Sequence, residues 1–216
     1  MEILGKLFGT QNRVKIMRLF LLNPENGFDV ATISNHIRAN KSLVRKELSL
    51  LSSIGFIKSK KVDQKETNRK VPGFVLATDF QYIKEMKRLL VDAEFLTQDE
   101  IAKRFKKAGR IKLLVISGVF LKDDASRVDF MLVGDNFKKS ILDRTIRTLE
   151  AEIGKELSYS VFDTEEFKYR LSMYDKLIRD VLDFNHKKII DTGSFITTEP
   201  VHTGIQITRE PLSTRK

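Results

Sequence analysis

The sequence predicts an α+β protein of two small domains. Three observations carry that prediction. The first is element order: residues 11–78 read as three helices and a hairpin, and residues 111–190 as strands interleaved with helices. The second is a change of pattern at Gly109, where amphipathic helices give way to continuous apolar runs. The third is charge. The chain has 216 residues, 39 Lys+Arg against 29 Asp+Glu, and a formal net charge of +10. Residues 1–78 hold 14 basic and 6 acidic side chains, whereas residues 79–192 hold 22 and 21. Almost all the excess lies in the first third, the distribution that a polyanionic partner requires.

Composition narrows the classes further. An apolar fraction of 41% suffices for a packed core. The absence of cysteine excludes disulfide scaffolds, thiolate metal sites and a Cys nucleophile. No apolar run approaches the roughly 18 residues that span a bilayer. The first residues lack a small-residue cleavage site. The expectation is a soluble cytoplasmic protein with no membrane partner.

The elements follow in order. Residues 11–22 form a helix with an apolar stripe (Val14, Ile16, Met17, Leu19, Phe20, Leu21) and Thr10 as N-cap. Residues 23–27 are a turn. Asp29 caps a short helix ending at Ile37, and residues 38–40 make a tight connection. A third helix runs over 41–54 and stops at Gly55. Residues 56–62 and 71–77 read as strands joined by the polar tip 63–70. A linking helix covers 79–96. Thr97 and Glu100 form a capping box for the next helix. Then come strands 111–117 and 127–133, a helix 135–153, a strand 157–162, a helical stretch 164–183 and an edge strand 188–190. The tail 192–216 is expected to be disordered.

The helix over 41–54 has two chemistries. At about 100° per residue, Ser42, Arg45, Lys46 and Ser49 share one side, and Val44, Leu48, Leu51 and Ile54 take the other. Arg can bond guanine bidentately and Ser can reach a base edge or a phosphate. Asn40 and Lys41 stand at the helix N-terminus, where backbone phosphate is favoured. Lys58, Lys60, Lys61, Lys65, Arg69 and Lys70 crowd the hairpin and would supply a second contact. The stretches 29–34, 41–48 and 51–57 (Leu51-Ser52-Ser53-Ile54-Gly55-Phe56-Ile57) resemble a winged helix-turn-helix domain of bacterial and archaeal transcriptional regulators. The resemblance covers about residues 8–78. It implies that the third helix enters the major groove of double-stranded DNA and that residues 58–70 form the wing.

The second domain carries another resemblance. Residues 112–120 (Lys112-Leu113-Leu114-Val115-Ile116-Ser117-Gly118-Val119-Phe120) and 127–134 (Arg127-Val128-Asp129-Phe130-Met131-Leu132-Val133-Gly134) resemble the minimal nucleotidyltransferase fold over about residues 97–191. That family places Gly-Ser after its first strand, Asp-x-Asp on the second and a further acid on a later strand, to hold Mg²⁺ against nucleotide phosphates. Here Gly118 and Asp129 remain, Val119 replaces the Ser, Met131 replaces the second Asp, and residues 157–162 offer no acid. One carboxylate cannot assemble a two-metal clamp. Asp123 and Asp124 lie on the intervening loop and are poorly placed substitutes. Gly118 and Asp129 are therefore vestigial, with Asp129 a strand-end residue or a partner of Arg127.

No cofactor and no metal site is expected. His36, His186 and His202 follow no ligand spacing, and no phosphate-binding glycine loop is present. The second domain would serve dimerisation, a small ligand or a partner protein, with Arg127, Lys138 and Lys139 as candidate anion contacts. The function expected is that of a sequence-specific DNA-binding transcriptional regulator, acting as a homodimer. Its rivals are an active nucleotidyltransferase with a winged-helix targeting module and an antitoxin-like partner-binding protein.

Overall fold

The computed structural model describes residues 2–64, 69–92, 96–123, 125–183, 185–193 and 195. The chain is a mixed α+β structure with a two-stranded and a four-stranded sheet. Of the predicted hairpin tip 63–70, residues 65–68, with Lys65, lie outside the described residues, and the strands extend over the rest; Asp124, Phe95, His202 and the tail from residue 196 also lie outside. Among the described residues no helix is long and apolar enough to cross a membrane.

The first half contains α1 (Glu2–Leu7), α2 (Gln11–Leu22), α3 (Val30–Ile37), α4 (Lys41–Ser53) and the antiparallel pair β1 (Ile57–Gln64) and β2 (Arg69–Leu76). Local caps set the boundaries. The Thr10 side chain accepts from Arg13 N, that of Asp29 from Thr32 N, and that of Asn40 from Ser42 N. Arg38 ends α3 in the left-handed conformation, φ 56°, and Gly55 follows α4 at φ 79°. One core, with Ile16, Phe20, Ile33, Val44, Leu48 and Phe56 fully or almost fully buried, joins these elements. Gly73 is needed here: a Cβ on it would strike the Val62 side chain and the Phe28 carbonyl, across the bridge that ties Phe28 to Phe74.

Two expectations need correction. Helix α1 forms on residues for which the sequence predicts no element, and it packs on α2. The linking helix is shorter and irregular, α5 (Ile83–Lys87) running into a π-helical turn at Arg88–Asp92. Leu90, Ile83 and Met86 pack into the first core, so this segment belongs to the first half.

The second half contains α6 (Gln98–Phe105), β3 (Arg110–Ile116), β4 (Phe130–Asp135), α7 (Lys139–Ile153), β5 (Tyr159–Phe162), α8 (Thr164–Ser172), α9 (Lys176–Asp183) and β6 (Lys187–Asp191). The strand order is β5-β4-β3-β6, with β4 and β5 parallel and the other pairs antiparallel. A parallel pair needs a crossover, which α7 provides. Strands β3 and β4 are covered on both faces, which explains their unbroken apolar runs. Ile101, Phe105, Leu142 and Ile146 cover one face; Phe167, Ile178 and Val181 cover the other. The expected helix 135–153 begins later, at Lys139, because Asp135 and Gly134 still pair with β3. The expected strand 127–133 likewise begins at Phe130. The helical stretch 164–183 breaks at Tyr174, φ 55°, where Asp175 accepts from Leu177 N and caps α9.

Candidate nucleic-acid interface

Helix α4 is seated by its apolar face, with Val44, Leu48 and Leu51 buried. Lys41, Ser42, Arg45, Lys46 and Ser49 are exposed on the other side. Asn40 and Ser42 are partly committed to each other: Asn40 Oδ1 accepts from the Ser42 amide at 2.9 Å and from the Ser42 hydroxyl at 3.0 Å. Glu47, the one acid of the helix, does not face outward. It is 6% exposed and accepts from Thr10 Oγ1 at 2.8 Å and from Arg13 Nε at 2.7 Å. Arg13 also donates to the Phe8 carbonyl at 2.6 Å. The buried pair fixes α4 against the α1–α2 junction and removes the only anion from the helix surface.

The hairpin stands beside α4. Lys60 pairs in register with Gly73, Lys61 with Pro72, Asp63 with Lys70 and Gln64 with Arg69. Lys60, Lys61, Arg69 and Lys70 are exposed. Lys58 differs from the expectation: its ammonium is held by the Asp79 carboxylate at 2.7 and 2.8 Å. That contact lowers the Asp79 carboxyl below the ordinary range, chiefly through the Lys58 hydrogen bond. An open groove of about 460 Å³ separates helix from hairpin, lined by Arg45, Ser49, Ser52, Ser53, Val30, Leu48 and Phe74. It combines a cation and three hydroxyls with an apolar floor.

In the second half the carboxylate of Asp129 has a clear position. Asp129 is 6% exposed. Its Oδ1 accepts from Val119 N at 2.7 Å and its Oδ2 from Ser158 N at 2.8 Å. Both oxygens thus tie loops together, one after β3 and one before β5. Gly118, at φ 48°, is required for the approach, since a Cβ there would collide with Asp129 Oδ1. Arg127 is not its partner; it pairs with Asp180 at 2.8 Å. Asp123 Oδ1 accepts from Ala125 N at 3.0 Å within its own loop.

No family model, no curated protein and no solved structure matches this chain.

Several residues that organise the site escape a sequence reading. Arg18 sits inside the apolar stripe of α2, fully buried, and donates to the Leu90 carbonyl at 2.6 Å and the Glu152 carbonyl at 3.0 Å. Burial lowers its guanidinium to about 10, offset in part by Glu152, so it remains cationic at neutral pH. A charge at a core-facing helical position is the available signal. Asn23 adds a second link, donating to the Gly154 carbonyl at 3.0 Å. Asp135 accepts from Thr164 Oγ1 at 2.6 Å and pairs with Lys112 at 2.8 Å. Those contacts hold its carboxyl down to about 2. His36 packs its ring edge-on against Phe28. Lys138 and Lys139 are exposed at the start of α7, where no side chain caps the helix.

Proposed function

We propose that this chain is a sequence-specific DNA-binding transcriptional regulator, with a winged helix-turn-helix over the first half and a nucleotidyltransferase-like second half that does not catalyse transfer. The observation that carries the proposal is the outward face of α4. Lys41, Arg45 and Lys46 are exposed and engage no acid among the described residues, and the single acid of the helix is drawn inward. A surface of that kind meets phosphate at little desolvation cost and can present Arg45 to a base edge. Lys60, Lys61, Arg69 and Lys70 extend it along the hairpin. A homodimer would place two such faces on paired half-sites.

Asp129 weighs against the enzymatic alternative. A carboxylate that ligates Mg²⁺ must offer oxygen lone pairs to the ion. Both Asp129 oxygens instead accept backbone amides, and the neighbouring family positions hold Val119 and Met131. The second half then acts as a platform for dimerisation, a ligand or a partner.

The test is selection of bound sequences from a random duplex pool, followed by anisotropy on the enriched sequence across a salt series. A recovered motif with a steep salt slope supports the proposal. Equal weak binding to every sequence would turn it toward protein docking.

A further inference from the structure

We propose that α7 provides a second DNA contact, with Arg144 and Arg147 taking backbone phosphates that flank the site under α4. The inference rests on the DNA-binding reading above. Its first support is placement. In helix-turn-helix proteins the N-terminal residues of the recognition helix reach the bases, so whatever stands beside that end meets the adjoining backbone. The turn that leads into that end from α3 lies against α7. Arg38, two residues before the Asn40 cap, donates Nη1 to Thr148 Oγ1 at 2.9 Å and is 3.5 Å from the Arg144 carbonyl.

The second support is charge. Arg144 and Arg147 are exposed and lie about 60° apart around the helix. Among the described residues neither holds a carboxylate, whereas Arg104, Arg127, Arg170 and Arg179 each do. The acids at the end of α7 turn away: Glu150 accepts from Leu157 N at 3.0 Å, and Glu152 pairs with Arg104 at 2.8 Å. Asp143, half-buried, is about 100° round from Arg144. A cationic strip facing a duplex is complementary in sign to the phosphates it would meet.

The third support is rigidity. Arg18 and Asn23 bond α2 to the carbonyls of Glu152 and Gly154 at the far end of α7, and Arg38 holds its middle. Two contact elements at fixed separation add their phosphate contacts without paying for alignment at each encounter.

The experiment uses the full chain and a fluorescein-labelled random-sequence duplex of about 30 base pairs, near three helical turns. The variants are Arg144→Gln/Arg147→Gln, the charge-preserving Arg144→Lys/Arg147→Lys, and Arg45→Gln/Lys46→Gln as the α4 reference. Thermal melts accompany each. The proposal expects the Gln pair to melt like wild type, to reduce the slope of log K against log salt by about 2, and to weaken binding roughly tenfold at physiological salt. It expects the Lys pair to retain most of the wild-type slope. A Gln pair that binds as wild type, while the α4 variant loses affinity, overturns the α7 contact and leaves the DNA reading standing. A Lys pair as weak as the Gln pair overturns it too, since charge would not be the cause. If the wild type binds no duplex, both fall.

Discussion

The two halves of the molecule use charge in opposite ways. In the second half several surface cations are paired with anions, Arg104 with Glu152, Lys112 with Asp135, Arg127 with Asp180, Arg170 with Glu166 and Asp175, and the unpaired Arg144 and Arg147 of α7 stand apart from that pattern. In the first half two acids serve the architecture. Asp29 caps α3, and Glu47 is buried against Arg13. Lys41, Arg45, Lys46, Lys60, Lys61, Arg69 and Lys70 are left facing water without an acid among the described residues. Exposed ion pairs add little stability, about 0–1 kcal/mol each, so matching charges does not explain why either half folds. It decides what each half presents to a partner. One presents a field that nearly cancels and the other a cationic surface.

The largest expected effect lies in the half that uses a carboxylate structurally. Asp129→Ala removes two charge-assisted acceptors and strands two amides. It should cost about 3–5 kcal/mol, read as a fall in urea midpoint. Asp129→Asn can keep one of the two bonds and should cost about half as much. A mild effect of Asp129→Ala would break the comparison, because that carboxylate would then be available for chemistry.

Next comes the seam. Arg18→Met leaves the Leu90 and Glu152 carbonyls without their donor and should cost about 2 kcal/mol. Calorimetry should then resolve two transitions where the wild type has one, because the halves lose their strongest polar tie. A single unshifted transition would show that apolar contacts between the halves, such as Leu22 against the second core, suffice.

The third prediction concerns the cationic surface. Arg45→Ala should cost about 1–3 kcal/mol on the specific site and less on random DNA. An equal loss on both would make Arg45 a phosphate contact only. Lys60→Ala should weaken both similarly and reduce the salt slope by about 1. Lys58→Ala should do less, since Asp79 already neutralises that ammonium.

The smallest effect is a pH dependence. The Asp135 carboxyl is lowered from 3.8 to about 2 by Lys112 and Thr164. Its stabilising contribution is complete above the ordinary carboxyl pKa and is lost as pH falls through the interval toward 2. The difference in urea midpoint between wild type and Asp135→Asn should therefore be constant from pH 7 to about 5 and shrink toward pH 2. A constant difference down to pH 2 would remove the ion pair as its cause.

Which features were legible in the sequence follows from the range of the interactions. Thr10, Asp29 and Thr97 cap helices through bonds three residues away, and each was readable as a cap. The basic face of α4 was readable because helical periodicity is local, and so was the apolar face opposite. The break between α8 and α9 was missed: a left-handed Tyr174 has no residue signature comparable to glycine.

The sequence by itself determined the α+β order of elements and the segregation of charge. Tertiary structure alone decided where the charged side chains point. Glu47 could have faced solvent; Thr10, 37 residues away, and Arg13, 34 residues away, draw it inward. Arg18 finds its carbonyls 72 and 134 residues away. Asp129 takes amides from two loops that meet only once the sheet is assembled. The physical reason is common to all three. A buried charge or carboxylate must be satisfied, and the groups that satisfy it are brought near by packing of apolar surfaces that carry no information about polar partners.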